Sequence, residues 1–309
     1  MDDILSQLKK PRNFIMLAIF AVGFLVIIPQ LDSFKNALSS LNRGSLNFII
    51  ISIVFTFATY FFAALIYQSL SFKKLRYFRT VIVQTAAMFI NRLLPAGIGA
   101  MGVNYLYLRK NKNTKIQAAS VVAINNLLGG IGHNILFWVV VLWGGYSAVS
   151  AKKFTNPIGF LFFTALLSIL VYFLYKFSTK FKKLFRDVIR QLRSYKKNPT
   201  KILKALLFSM CLTLCNVLAL YFAAKAFNID LSFAKTFIIF TIGVSGGAIT
   251  PTPGGLGGFE AGLTAGYIAF GIDKEAALAA AILYRLISYW LTLIAGSIAF
   301  FVSLKQKWI

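Results

Sequence analysis

The chain has 309 residues, 58% of them hydrophobic and 13% charged, with a formal net charge of +25. A water-soluble core cannot absorb that much apolar surface, and several apolar runs approach the length needed to cross ~30 Å of hydrocarbon. The basic residues sit in short loops between those runs, which marks the cytoplasmic loops of a polytopic membrane protein and argues against a nucleic-acid binder.

The first apolar run, 14–31, follows Lys9, Lys10 and Arg12. It is longer than the apolar core of a signal peptide and no small-x-small cleavage site follows, so it is predicted as an uncleaved span. Further full spans are predicted at 46–70, 117–147, 157–175, 202–224 and 277–303. Two other apolar regions, 81–108 and 236–270, are interrupted by Pro95-Ala96-Gly97-Ile98-Gly99 and by Pro251 to Gly258. Each half of the first region is about 14 residues, or roughly 20 Å of helix, too short to cross. Both regions are therefore predicted as re-entrant helical hairpins. The expected fold class is an all-α membrane protein with about six full spans and two such hairpins, or up to eight or more segments if each broken region is two short spans, in a single domain.

Basic residues fix the predicted sidedness. The loops 71–80 and 109–116 and the segment 176–201 are rich in Lys and Arg and are placed in the cytoplasm with both termini, in the inner membrane. The segment 176–201 carries Phe181, Leu184, Phe185, Val188, Ile189 and Leu192 on one helical face. It reads either as an interfacial helix held against anionic lipid or as a linker tucked under the bundle.

The chain also matches itself. A shift of 158 residues lays Pro95 on Pro253, Gly97 on Gly255 and Gly99 on Gly257, and brings the span at 46–70 onto the one starting near 202. Each half reads as span, span, broken hairpin, span, giving repeat one at about 1–148 and repeat two at about 157–309. Three full crossings per half invert the second copy. Paired interrupted segments in inverted repeats point to a binding site near the membrane midplane.

Few ionisable residues remain at that depth: Arg92, Glu260 and Arg285, with His133 less central. Two readings stay open for them. The arginines, with Asn91 and Asn126, present donors to a lipid phosphate while Glu260 sets the charge balance or receives a cationic headgroup; the asparagines alternatively hydrogen-bond between helices. Alternatively Glu260 and Arg285 form a structural ion pair, since intramembrane charges usually pair, and Arg92 snorkels to the cytoplasmic face. The tip residues Pro95, Gly97, Gly99, Pro251, Pro253, Gly254, Gly255, Gly257 and Gly258 either open backbone N–H groups to an anion or allow close helix packing. Cys211 and Cys215 lack partners for a metal site, no cofactor is implied, and no catalytic triad or Walker A loop is present.

At Asn91-Arg92-Leu93-Leu94-Pro95-Ala96-Gly97-Ile98-Gly99 and Pro251-Thr252-Pro253-Gly254-Gly255-Leu256-Gly257-Gly258-Phe259-Glu260 the chain resembles the membrane domain of the lysylphosphatidylglycerol synthase/flippase family. The resemblance runs over nearly the whole chain. It implies movement or binding of a membrane lipid, an anionic or aminoacylated phospholipid. In the family's full-length synthases a cytosolic transferase domain follows, and residues 1–309 contain nothing resembling it, so no enzymatic activity is expected. The alternative is a non-transporting partner that presents lipid to a separately encoded lipid-modifying transferase; a third is a lipid-modifying enzyme using Glu260 as acid or base. A homodimer is compatible with all of these, and no nucleic-acid partner is expected.

Overall fold

The computed structural model describes residues 45–94, 97–143, 186, 190, 195, 198–250 and 252–309. The predicted spans at 14–31 and 157–175, most of the segment 176–201, and Pro95 and Pro251 lie outside these residues. Among the described residues the structure is helical throughout. Its elements are α1 (Leu46–Leu70), α2 (Tyr77–Leu93), α3 (Ile98–Lys110), α4 (Lys115–Trp143), α5 (Pro199–Lys225), α6 (Phe233–Ile249), a 3₁₀ turn (Pro253–Gly255), α7 (Gly258–Ala269) and α8 (Lys274–Lys305). Four of them, α1, α4, α5 and α8, are long and apolar enough to cross a membrane. They fall on the predicted spans at 46–70, 117–147, 202–224 and 277–303.

The centre of the fold is the antiparallel pair α1 and α5. Small residues let the two backbones approach: Ala63, Ala64, Ala219, Ala223 and Ala224 are all buried. Ser52 Oγ donates to the Ala219 carbonyl at 2.7 Å, and Ser45 N–H to the Ala226 carbonyl at 2.9 Å. Phe55 and Phe222 stack in parallel with ring centroids 5.6 Å apart. The Ser45 end of α1 is therefore also the Lys225 end of α5.

Each interrupted region folds as an antiparallel helical hairpin. In the first, Gln84 Nε2 donates to Asn104 Oδ1 at 2.7 Å and the Thr80 and Tyr107 hydroxyls meet at 2.8 Å. In the second, Gly243 and Gly246 of α6 face Leu263 and Gly258 of α7. With 17 and 13 residues in α2 and α3, the arms of the first hairpin are about 25 and 20 Å long. The second hairpin, with arms of 17 and 12 residues, is of similar reach. Neither arm matches the ~30 Å hydrocarbon thickness.

The hairpins open at opposite ends of the bundle. The first follows directly from Leu70 at the C-terminal end of α1. Asn113 Nδ2 donates to Ser71 Oγ at 3.4 Å there, and the buried Tyr195 donates its hydroxyl to the Leu70 carbonyl. The second hairpin opens beside Ala226, at the N-terminal end of α1. The two tips thus approach each other from opposite directions, and α8 runs past both. Phe89 packs on Phe300, and Gly296 sits against the α2 backbone at Thr85 and Phe89.

Glycine makes the close crossings possible. A Cβ on Gly99 would lie 2.4 Å from the Ile90 carbonyl oxygen, and one on Gly246 would lie 2.3 Å from the Gly258 carbonyl oxygen, whereas Gly102 faces open space. Gly99→Ala and Gly246→Ala are each expected to destabilise the purified protein by about 1–3 kcal/mol through overpacking. Gly102→Ala is expected to be neutral or slightly stabilising, given Ala's better helix propensity. Thermal unfolding in one detergent checks this; equal melting temperatures for all three variants would contradict the packing described.

Candidate functional site

The second tip is built by sequence that cannot continue a helix. α6 ends at Ile249, where the Thr250 N–H returns to the Gly246 carbonyl. Pro253 then opens a single 3₁₀ turn in which Gly254 and Gly255 both have positive φ, at 61° and 69°. Gly257, at φ 82°, precedes α7. These left-handed conformations are open to glycine at little cost and strain other residues. The first tip uses the same device once: Gly97, at φ 75°, immediately precedes α3.

Glu260 lies in the first turn of α7, and both its carboxylate oxygens are engaged. Oε2 accepts the Gly257 N–H at 2.8 Å, occupying the anion position at its own helix N-terminus. Oε1 accepts Arg285 Nε at 2.7 Å. The Arg285 side chain is 5% exposed and that of Glu260 23%. Arg285 also donates from Nη2 to the Gly254 carbonyl at 3.2 Å. Its guanidinium carbon lies 4.9 Å from the ring centroids of both Phe259 and Tyr289. One arginine on α8 therefore holds the turn, the start of α7 and the carboxylate together.

Arg92 comes from the other tip, in the last turn of α2. It does not snorkel out of the bundle. Its Nη2 donates to the Ser288 carbonyl of α8 at 2.8 Å, and its guanidinium lies 5.3 Å from the Tyr289 ring centroid. In return the Tyr289 hydroxyl donates to the Arg92 carbonyl at 3.3 Å. Arg92 Nε is buried without a hydrogen-bond partner. The three ionisable residues singled out by sequence thus converge, joined by Tyr289.

Asn91 and Asn126 do not join that cluster through any hydrogen bond among the described residues. Asn91 Oδ1 accepts the Ala100 N–H at 3.4 Å, which ties α2 to the first turn of α3 across the tip. Asn126 lies with Leu127, Gly130, Ile131 and Asn134 along one face of α4, near enough to Asn125 for a 3.5 Å hydrogen bond. His133 faces Thr241 Oγ1 at 3.2 Å and packs on Phe237 and Phe240, a structural placement. No group of three or more metal-ligating side chains occurs among the described residues.

Sequence reasoning missed Tyr289 and Ser288. Both lie within a π-helical segment, Leu286–Leu291, inside α8. Such segments are rare and recur at functional sites. Tyr289 stands one helical turn beyond Arg285, and that spacing was the available clue to a shared face.

A bundle of apolar spans enclosing paired charges where two broken hairpins meet defines a polytopic membrane protein with a polar site inside the helical bundle. Its sequence from residue 13 to 296 matches the family model described as the lysylphosphatidylglycerol synthase TM region, and the chain belongs to that family. It is similar to a UPF0104 membrane protein of Methanothermobacter thermautotrophicus, 30% identical over 113 residues, 37% of this chain and 34% of the relative. It is also similar to a UPF0104 membrane protein of Pyrococcus horikoshii, 25% identical over 130 residues, 40% of this chain and 39% of the relative. The alignments thus span little more than a third of either relative.

Breaking the Glu260–Arg285 pair leaves a charge in a poorly solvated place. Glu260→Gln or Arg285→Gln is expected to cost on the order of 1–3 kcal/mol, with the double variant less destabilised than the sum of the two. A double-mutant cycle of thermal stabilities measures the coupling; strictly additive losses would contradict the pair's contribution.

Proposed function

We propose that this protein binds a membrane phospholipid and moves it between leaflets, with the headgroup handled where the two hairpin tips meet and the acyl chains left in hydrocarbon. The observation that carries this reading is the buried Arg92–Tyr289–Arg285–Glu260 cluster. Charges at such depth are costly and are retained where polar cargo passes. Membership in the family described as the lysylphosphatidylglycerol synthase TM region supports a lipid-handling role.

In this reading the hairpins are re-entrant and the chain is an inverted repeat. Two features support it. α1 and α5, which the 158-residue shift makes equivalent, pack antiparallel, as a two-fold axis in the membrane plane requires. The shift also carries the Gln84–Asn104 contact of the first hairpin onto Ile242 and Gly262, where a Cβ on Gly262 would meet the Ile242 carbonyl oxygen at 2.8 Å. Corresponding positions thus meet in both hairpins.

Charge distribution supports cytoplasmic termini. At the Leu70 end of the bundle lie Lys73, Lys74, Arg76, Arg79, Arg109, Lys110, Lys112 and Lys115, with Lys305 and Lys307 of the C-terminus. Arg79 stacks on Trp308 with its guanidinium carbon 4.9 Å from the ring centroid. The acids Asp230, Asp273 and Glu275 all lie at the opposite end. That asymmetry is the positive-inside pattern.

Reconstitution tests the function. Proteoliposomes containing a fluorescent phosphatidylglycerol are expected to lose outer-leaflet and then inner-leaflet fluorescence to a membrane-impermeant quencher when the protein is present. Arg285→Ala and Glu260→Gln are each expected to slow the inner-leaflet phase at least about tenfold, the effect of ~1.4 kcal/mol. Wild-type protein that leaves the inner leaflet untouched, yet co-purifies with a lipid-modifying transferase, would replace transport by lipid presentation.

A further inference from the structure

We infer that Phe259 is a wedge that holds α4 off the second hairpin, and that in a second state the ring withdraws and the Leu127–Trp138 face of α4 closes on α6, as α8 is closed on α2. This rests on the inverted-repeat reading, and it names the parts by which the two halves exchange shapes.

The 158-residue shift lays α4 on α8 and α2 on α6, so a molecule with equal halves would pack α4 on α6 as it packs α8 on α2. The contact between α8 and α2 is closed. The Ser288 carbonyl accepts from Arg92, Gly296 sits against the α2 backbone at Thr85 and Phe89, and Phe300 packs on Phe89. On α8 the residues Arg285, Ser288, Tyr289, Thr292, Leu293 and Gly296 are accordingly buried. Their counterparts on α4 are Leu127, Gly130, Ile131, Asn134, Ile135 and Trp138, and all six are exposed. Residue type does not explain the difference. Leu127 and Ile131 are more apolar than the Arg285 and Tyr289 they match, yet Ile131 is 50% exposed and Tyr289 1%. α4 rests instead on α5, where Gly132 meets Leu206 and Met210, and touches α6 through His133 at Thr241.

The groove that α4 would enter is already filled. Carried over by the shift, the Gly296–Phe89 contact becomes Trp138 against Gly247. The glycine belongs to α8 in one half and to α6 in the other, so each contact pairs a large side chain with bare backbone. The Phe259 ring now covers Gly243 and Gly247, 3.3 and 3.1 Å from where their Cβ atoms would sit. It is held there by α8: it stacks on Tyr284 with centroids 6.1 Å apart, and the Arg285 guanidinium carbon lies 4.9 Å from its centroid. In the first hairpin the matching residue is Met101, which is exposed and leaves the α2 groove to α8. The hairpin with the ring in its groove excludes its helix, and the hairpin without one has admitted its helix. Packed interfaces switch between discrete arrangements rather than deforming continuously, and inverted repeats exchange access by rocking one part against the other.

Double electron–electron resonance on the full chain in lipid nanodiscs tests this. Cys211→Ala and Cys215→Ala provide the background, with spin labels on Ile135→Cys of α4 and Val244→Cys of α6, both exposed positions. Two distances are expected, the longer one dominant. Phe259→Ala should enlarge the shorter-distance population roughly three- to tenfold, the effect of losing one aromatic stack and one cation–π contact. Phe259→Tyr should leave it as in wild type. The same single distance in wild type and in a folded Phe259→Ala protein would overturn the inference. Should Phe259→Ala fail to fold, Phe259→Leu decides, because it removes the ring contacts and keeps much of the volume; an unchanged distribution there is equally fatal.

Other occupants of the α4 face give different results. An intermolecular distance from protein labelled at Ile135→Cys alone assigns the face to a second copy. Complete disulfide formation between Ile131→Cys and Thr164→Cys, with a fixed distance from α4 to α6, assigns it to the segment 157–175. Either outcome overturns the inference. Lipid movement is read separately by the quencher assay: movement with one fixed distance refutes the wedge alone, and a shifting distance without movement refutes transport alone.

Discussion

A guanidinium inside a membrane protein is stable only where hydrogen-bond acceptors and polarisable faces replace its water. In this protein two guanidiniums meet that demand on a single tyrosine. Tyr289 contacts both Arg92 and Arg285, its ring centroid 5.3 and 4.9 Å from their guanidinium carbons, and its hydroxyl reaches the Arg92 carbonyl. Its ring also fills the space that a side chain at Gly254 would need. One residue of the last span therefore touches both tips. The hairpins, the turns that shape them and the π segment of α8 are arranged around that contact.

The π segment puts the contact in place. It carries more residues per turn than an α-helix, and it falls where Arg285 faces the second hairpin, Ser288 the first, and Tyr289 meets both. The Ser288 carbonyl accepts both from Arg92 and from Thr292 Oγ1 at 2.8 Å each. Chemistry at the tips is unequal even though their backbones use the same glycine device. The second tip brings its own carboxylate and neutralises Arg285; the first brings a cation and no acid. That inequality makes the cluster net positive.

Much of the fold was legible in the sequence because membrane insertion acts on length and apolarity, which are properties of the chain alone. The four long described helices fall where apolar runs predicted them, and the breaks fall where proline and glycine bar a continuous helix. The pairing of Glu260 with Arg285 was one of two readings available from the scarcity of charges at depth. The other features were illegible for physical reasons. The apolar pattern of α8 runs unbroken through its π segment, so nothing in sequence marked the change of register that aims Tyr289. A tyrosine in a span is also at home at a membrane interface, so its residue type did not mark it as a site. Asn91 and Asn126 looked alike as polar residues in apolar helices; only the packing assigns one to the hairpin tip and the other to the open face of α4.

The claim that one side chain secures both tips is tested most directly by hydrogen–deuterium exchange on the protein in lipid nanodiscs, comparing wild type with Tyr289→Ala. Backbone amides at 97–100 and 252–258 are expected to be protected together in the wild type and to exchange faster together in the variant, with α1 and α5 unchanged. Faster exchange at one tip alone, or at neither, would contradict the account.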